Sequence, residues 1–336
     1  MDTLTHVALG ACLGELLATK RIGKKALVYG ALAQSVPDFD FVFSFWLEPS
    51  ANVLAHRGFT HSFLFVLLIT PIFAWAAQRG WGNTQTTFKY WLTFFGIQIL
   101  VHTVLDAFNA YGTAWFEPFS HTRISFHTLF VADPLFSISL GVATLYLIIT
   151  SAINKSRVYW AAGGIIVSVF YLGYALSNKL TVNKAVKMSL VERGINVNHY
   201  FATPTPFNNL LWYVVANSDS GSFIGYHSVF DKQPISFEFF PRQELLLHSA
   251  NNMEEVNRLK RFSQGYYTVE LKGDTLIFND LRFGQMIGWQ QARAGFVFHY
   301  YLKPNLDNHL VLQRGRFANW DWKATQSLIQ RMRGLD

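Results

Sequence analysis

Between residues 134 and 154, and again between 158 and 178, the chain carries no Asp, Glu, Lys or Arg. A helix needs about 20 predominantly apolar residues to cross a bilayer, and every backbone polar group inside the hydrocarbon must be satisfied within the segment. Two uncharged runs of this length therefore point to spanning helices. A third, 58–78, contains Pro71 as an expected kink, and a shorter fourth, 90–105, is bounded by Lys89 and Asp106. Two weaker candidates are 3–18, which contains Glu15, and 26–47, interrupted by Pro37, Asp38 and Asp40. Trp46, Trp75, Trp91 and Trp160 fall near span ends, where amphipathic rings sit at the headgroup level. The expectation is a polytopic α-helical membrane domain of about six helices over residues 1–178.

The remainder differs in kind. Charged residues make up 15% of the whole, against about 25% in a soluble domain, and the deficit lies in the first half. Residues 179–336 hold 18 Lys/Arg and 13 Asp/Glu, whereas residues 1–178 hold 10 and 8. Short runs rich in aromatic and β-branched residues then recur: 210–217, 221–230, 235–240, 266–271, 275–281 and 295–302. Turn residues such as Asp219-Ser220-Gly221 and Lys272-Gly273-Asp274 separate them, which reads as antiparallel β structure. Residues 250–264 and 319–332, the latter after Asn319 as a cap, read as helices. Residues 185–336 are thus expected to form a β-rich α+β extramembrane domain. The net charge of +7 suits anionic lipid, and no RNA- or DNA-binding motif is present, so no nucleic acid partner is expected. The single cysteine, Cys12, excludes a disulfide framework. The N-terminus lacks the basic region of a cleavable signal, so the first helix is expected to be retained.

Lys and Arg set the orientation. With six alternating helices, one set of loops holds Lys20, Arg21, Lys24, Lys25, Arg79, Lys89, Lys155 and Arg157, and the opposite set holds Arg57 and Arg123. Eight against two places the first set in the cytoplasm. Lys179, Lys184 and Lys187 count against this, although a long translocated domain tolerates such charges. The C-terminal domain is then expected outside the cytoplasm.

The same scheme gathers the acids and imidazoles of the membrane half. His6, Asp38, Asp40, His56, His61, His102 and Asp106 all fall on the face opposite the Lys-rich loops. His102 and Asp106 are four apart and share a helix face. Asp38 and Asp40 repel one another unless a cation lies nearby, and acids at membrane depth are functional candidates. His56 and His61 flank a glycine turn, with Arg57 beside them. Mixed imidazole and carboxylate donors suit zinc, and manganese or iron less well, with two or three ions conceivable. Each piece has a plain structural reading. His6 could join helices, Asp38 and Asp40 could end helix two and pair with Arg57, and His102–Asp106 could be a structural hydrogen bond. His121 and His127 read as loop residues that are solvated or stand behind a ligand. The joint pattern favours a metal site. Asp38 or Asp40 is the expected general base if it is not a ligand, and Arg57 is suited to an oxyanion or phosphate. A proton or ion path would need polar residues strung through the bilayer, and the sequence supplies chiefly Gln34, Gln98 and Glu15.

MDTLTH (1–6), Gly10, Gly14, PDFD (37–40), HRGFTHS (56–62), HTVLDAFNAYGT (102–113), PFS (118–120), Arg123 and Asp133-Pro134 resemble, in order and spacing across 1–150, the YdjM-type membrane-bound, LexA-regulated metal-dependent hydrolases. That resemblance implies metal-dependent hydrolase activity in a bacterial inner membrane. The β-rich tail lies outside the family core. A fainter likeness, in the order His6, Asp38 or Asp40, His56 or His61, then His102 with Asp106, is to zinc-dependent bacterial phospholipases C and fungal zinc nucleases. It implies phosphoester hydrolysis, with Arg57 or Arg123 placed to hold a phosphate oxygen, a phospholipid or envelope phosphoester as substrate and membrane lipid as partner. The alternative is a non-enzymatic membrane protein with a structural metal and a partner-binding β domain.

Overall fold

The computed structural model describes residues 1–81, 86–303, 306, 308 and 320–335. The chain forms two compact units. One comprises Met1–Phe45 with Ala55–Ala175, the other Trp46–Leu54 with Leu176–Asp336.

The first unit is helical: α1 (Thr3–Ile22), α2 (Lys25–Ser35), a 3₁₀ segment (Pro37–Phe45), a short 3₁₀ turn (Phe59–His61), α4 (Phe63–Trp81), α5 (Phe88–Asp106), α6 (Pro134–Ile149) and the first half of α7 (Ser156–Glu192). α3 (Pro49–Ala55) falls almost wholly in the other unit. Caps mark the starts. Asp2 accepts from the Thr5 amide at α1, Ser62 from the Phe65 amide at α4, and Asp133 from the Leu135 and Phe136 amides at α6, where Pro134 occupies the first turn. α1 and α2 approach through glycine. A Cβ on Gly10 would lie 2.4 Å from the Gly30 carbonyl oxygen, and one on Gly14 would lie 2.1 Å from that of Ala26. Small residues four apart allow such contact, and van der Waals packing of the two backbones then joins the helices. A buried fork joins α1 to α7: Arg157 Nε and Nη2 donate to Glu15 at 2.9 and 2.5 Å.

Three helices are long and apolar enough to cross a membrane: Phe63–Gly80, Phe88–Asp106 and Ser156–Glu192. α6 is apolar but shorter. Six span-length helices are therefore not found among the described residues. The stretch 26–47, read as one span, divides into α2 and the 3₁₀ segment. Pro37 has no N–H to continue the helical ladder and restricts the residue before it, and the carboxylates that follow turn toward buried partners.

In the second unit β1 (His199–Pro204), β2 (Leu211–Asn217), β3 (Gly221–Ser228) and β4 (Phe237–Pro241) form one antiparallel sheet in sequence order. β5 (Tyr267–Lys272), β6 (Thr275–Gln285) and β7 (Phe296–Tyr301) form a second. β2 is buried throughout because both faces are covered. Trp212, Val214 and Ala216 pack with Val182, Val186 and Leu190, which share one face of α7. Tyr213 and Val215 pack with Leu281 and Phe296 of the second sheet. β1 was not among the runs singled out from sequence. α8 (Met253–Ser263) follows its cap Asn252, and α9 (Trp322–Met332) is capped by Asp321. The expected cap Asn319 lies outside the described residues.

Candidate metal centre

Four donors meet where α5 ends and the two 3₁₀ segments fold against it. Asp38, His61, His102 and Asp106 each present one ligand atom, all within 4.8 Å of one another. His61 Nε2 lies 3.1 Å from His102 Nε2, 3.6 Å from Asp38 Oδ1 and 3.4 Å from Asp106 Oδ2. His102 Nε2 lies 3.6 Å from Asp38 Oδ1 and 3.7 Å from Asp106 Oδ2. A tetrahedral zinc site with bonds of about 2.0–2.2 Å has donor–donor edges of about 3.3–3.6 Å. Five of the six edges lie close to that range. The side chains of His61, His102 and Asp106 are fully buried, and that of Asp38 is 19% exposed.

Local structure places each donor. His102 and Asp106 lie one turn apart at the end of α5. His61 closes the 3₁₀ turn just before Ser62 caps α4, and its Nδ1 lies 3.1 Å from Thr60 Oγ1 and 3.6 Å from Asp40 Oδ2. With Nδ1 so engaged, the Nε2 lone pair is directed into the cluster. His102 Nδ1 and Asp106 Oδ2 are buried without a hydrogen bond. Arg57 Nε faces Asp106 Oδ2 at 3.0 Å, a charge contact rather than a hydrogen bond. A buried carboxylate oxygen left in this way fits a cation.

The remaining candidates surround this quartet. His6, from α1, stacks on His102 with ring centroids 3.8 Å apart, and its Nε2 lies 2.9 Å from the other Asp106 oxygen, Oδ1, which also meets the Met1 amino group. Asp40 and His56 stand apart as a pair, Oδ1 to Nδ1 at 3.0 Å. Asp40 Oδ2 also accepts from the Arg57 backbone N–H at 2.7 Å and from the Thr60 hydroxyl at 3.2 Å. This anchors Arg57 in the left-handed region, φ +56°, which a non-glycine residue adopts only when its surroundings hold it there. Arg57 donates from Nη1 to Asn109 Oδ1 at 2.8 Å and from Nη2 to the Met1 carbonyl at 3.1 Å. Arg123 Nη2 donates to the His56 carbonyl at 2.7 Å. The 107–133 loop closes over the site through Ala114 N–H to the Arg57 carbonyl, 3.1 Å, and Phe63 N–H to the Trp115 carbonyl, 2.9 Å. His121 pairs with Glu117 at 2.7 Å, and His127 is not in the quartet. Sequence reading missed Thr60, Asn109 and the Met1 carbonyl as braces of the site, although Thr60 and Asn109 lie inside the quoted motifs.

Electrostatics follow from this packing. Burial alone would raise the Asp38 carboxyl, but hydrogen bonding and charge from His102 and His61 outweigh it and hold it below the usual range. Burial likewise opposes Asp40, whose bond to His56 prevails and holds it low. Burial dominates His61 and pushes its imidazole down to about 3, which keeps it neutral and able to donate its lone pair to a metal.

Residues 1–182 match the family described as YdjM inner membrane protein. The chain is 31% identical over 122 residues to inner membrane protein YbcI of Escherichia coli (strain K12), covering 36% of this chain and 69% of that protein. It is 30% identical over 149 residues to uncharacterized protein YfhP of Bacillus subtilis (strain 168), covering 41% of this chain and 44% of that protein. No solved structure matches.

Proposed function

Since the chain belongs to the YdjM inner membrane protein family, we propose that it is a membrane-bound metal-dependent hydrolase whose cation is held by Asp38, His61, His102 and Asp106. The observation that supports this reading is the set of near-tetrahedral separations among four buried or half-buried donors. Their chemistry favours zinc over manganese or iron. The preferred reaction is hydrolysis of a phosphoester. The ion would supply Lewis acidity, acidifying water and offsetting charge on a phosphoryl oxygen.

The chain's own groups divide the remaining work. His61 is oriented from behind by Thr60 and Asp40. Arg57 offsets the charge of Asp106, and its left-handed backbone holds the turn that carries His61. Asp40 is occupied by three donors and is therefore an anchor rather than a base. Asp38 is the quartet member open to solvent and would hold the cation on the side that a substrate can reach. Arg123, which braces the His56 carbonyl, would offer its guanidinium to a phosphate oxygen. Arg79 near the end of α4, Lys89 near the start of α5, and Lys155 between α6 and α7 support a site and C-terminal domain on the non-cytoplasmic side.

A second reading has one observation in its favour. Four protein donors can fill a tetrahedral ion, as in structural zinc sites, whereas catalytic sites usually keep a position open. Metal analysis of the purified full chain, with hydrolysis of bis(p-nitrophenyl) phosphate, separates the two. The hydrolase reading expects about one zinc ion per chain and turnover, both lost in Asp106→Asn and His102→Ala. Bound metal with no turnover on any phosphoester supports the structural reading. Wild-type protein without metal, or Asp106→Asn with unchanged metal and turnover, overturns the assignment.

A further inference from the structure

We propose that an aromatic shelf beside the metal centre seats its mouth among lipid headgroups, so that the substrate is a phosphoester carried by a membrane lipid. The seating stands on its own; the substrate class rests on the hydrolase reading. In the 3₁₀ segment Pro37–Phe45 the acids turn inward and the aromatic rings turn outward. Asp40 is buried, while Phe39, Phe41 and Phe45 are 60, 57 and 73% exposed and Phe43 is also exposed. No charged residue lies between Asp40 and Glu48. A protein surface in water rarely carries so contiguous an apolar patch, whereas aromatic rings are favoured at the boundary between lipid and water.

A second observation fixes what covers these rings. His61 lies two residues before α4 begins, and Asp106 is the last residue of α5, so the quartet sits at one end of two candidate spans. The aromatic surface continues onto those ends. The exposed Phe59 ring packs edge-on against Phe65 in the first turn of α4, centroids 5.9 Å apart, and the exposed Phe116 ring packs the same way against Phe63, also 5.9 Å. In the 107–133 loop, Phe119 is exposed as well. A surface continuous with the start of a span lies at the depth where headgroups meet acyl chains. Asp38, the one quartet side chain that is not fully buried, lies between Pro37 and the first of the exposed rings, Phe39.

The test places nitroxide labels on the full chain in vesicles of phosphatidylethanolamine and phosphatidylglycerol. Phe41→Cys and Phe119→Cys are labelled singly, and Cys12 is fully buried. Leu67→Cys on the exposed flank of α4 serves as the lipid reference, and Lys272→Cys at the exposed end of β5 as the water reference. Labels at 41 and 119 that collide with oxygen in preference to a water-soluble nickel complex, as at 67, support the seating. Nickel access as at 272 overturns it. Exclusion of both probes with dipolar broadening also overturns it, because a second copy then covers the shelf.

The substrate half is read by turnover. In Phe39→Ser/Phe41→Ser/Phe43→Ser/Phe45→Ser, hydrolysis of vesicle phosphatidylglycerol is expected to fall about tenfold or more while bis(p-nitrophenyl) phosphate turnover and metal content hold. An equal fall on both substrates with metal retained refutes a lipid-borne substrate. If metal is lost as well, the variant has misfolded, and the single labels with wild-type preference between the two substrates decide. Wild-type protein that hydrolyses neither sinks the hydrolase reading and the substrate class with it, and the labels still decide the seating.

Discussion

Asp40 binds the Arg57 amide, the Thr60 hydroxyl and His56, and lies beside the far nitrogen of His61. Groups behind a ligand orient it and raise its basicity, and losing one typically weakens metal binding about 10–100-fold. Asp40→Asn is therefore expected to lower metal affinity by that factor while leaving the saturated stoichiometry unchanged, as competition with a chelating dye would measure. Unchanged affinity would mean that the carboxylate merely closes the turn. The same residue marks a limit of sequence reading. Asp38 and Asp40 are chemically alike and two residues apart, so the sequence could not say which faces the quartet. Only the turn of the 3₁₀ segment separates them, one toward His61 and His102 and the other toward the Arg57 backbone. His56 and His61 posed the same ambiguity.

Among the elements, α1 and α2 show how helices hold the site. His6, Gly10 and Gly14 lie on one face of α1 at intervals of four, and Gly30 and Gln34 answer from α2. Gly10→Val would drive a branched side chain into the Gly30 backbone. The expected destabilisation is about 1–3 kcal/mol, with His6 drawn away from Asp106; thermal unfolding in detergent and metal content measure the two effects. In the sheet unit, His227 lies buried with Nδ1 3.5 Å from Asp231, which Arg331 of α9 grips at 2.9 and 2.8 Å. Burial lowers His227 below its usual value despite Asp231. The unfolded chain then binds the extra proton, so this contribution is fully present above about pH 6.5 and erodes as pH falls below it. Denaturant melts at about pH 7 and about pH 5 should show the loss, and His227→Gln should flatten it. Much of this architecture was legible beforehand. Uncharged runs marked α4 to α7, and alternation marked β2 to β7. The hidden parts were those set by tertiary contact: the break after α2, the continuation of α7 to Glu192 as a helix backing the sheet, and the strand β1.

For the whole molecule, the proposed orientation makes a direct prediction. Alkaline phosphatase fused after Asp336 should be active in cells, and the same enzyme fused within the Lys-rich loop near Lys155 should be inactive. The reverse pattern would place the metal centre toward the cytoplasm and redirect the search for its substrate. The retention of Glu15 and Arg157 as a buried fork far along α1 from His6 predicts that Arg157→Leu, which strands a carboxylate, is worse than the double change Glu15→Leu/Arg157→Leu. Yield of folded protein in detergent would rank them.

The stretch Trp46–Leu54 groups with the sheet unit, where Glu48 and Ser50 receive Arg258 from α8 at 3.0 and 3.4 Å. Yet by chain order it connects the strip bearing Asp38 to the strip bearing His61. A truncation after Ala175 is therefore no clean excision. It would turn a clamped bridge into a slack nine-residue tether and add its freedom to the entropy opposing cation capture.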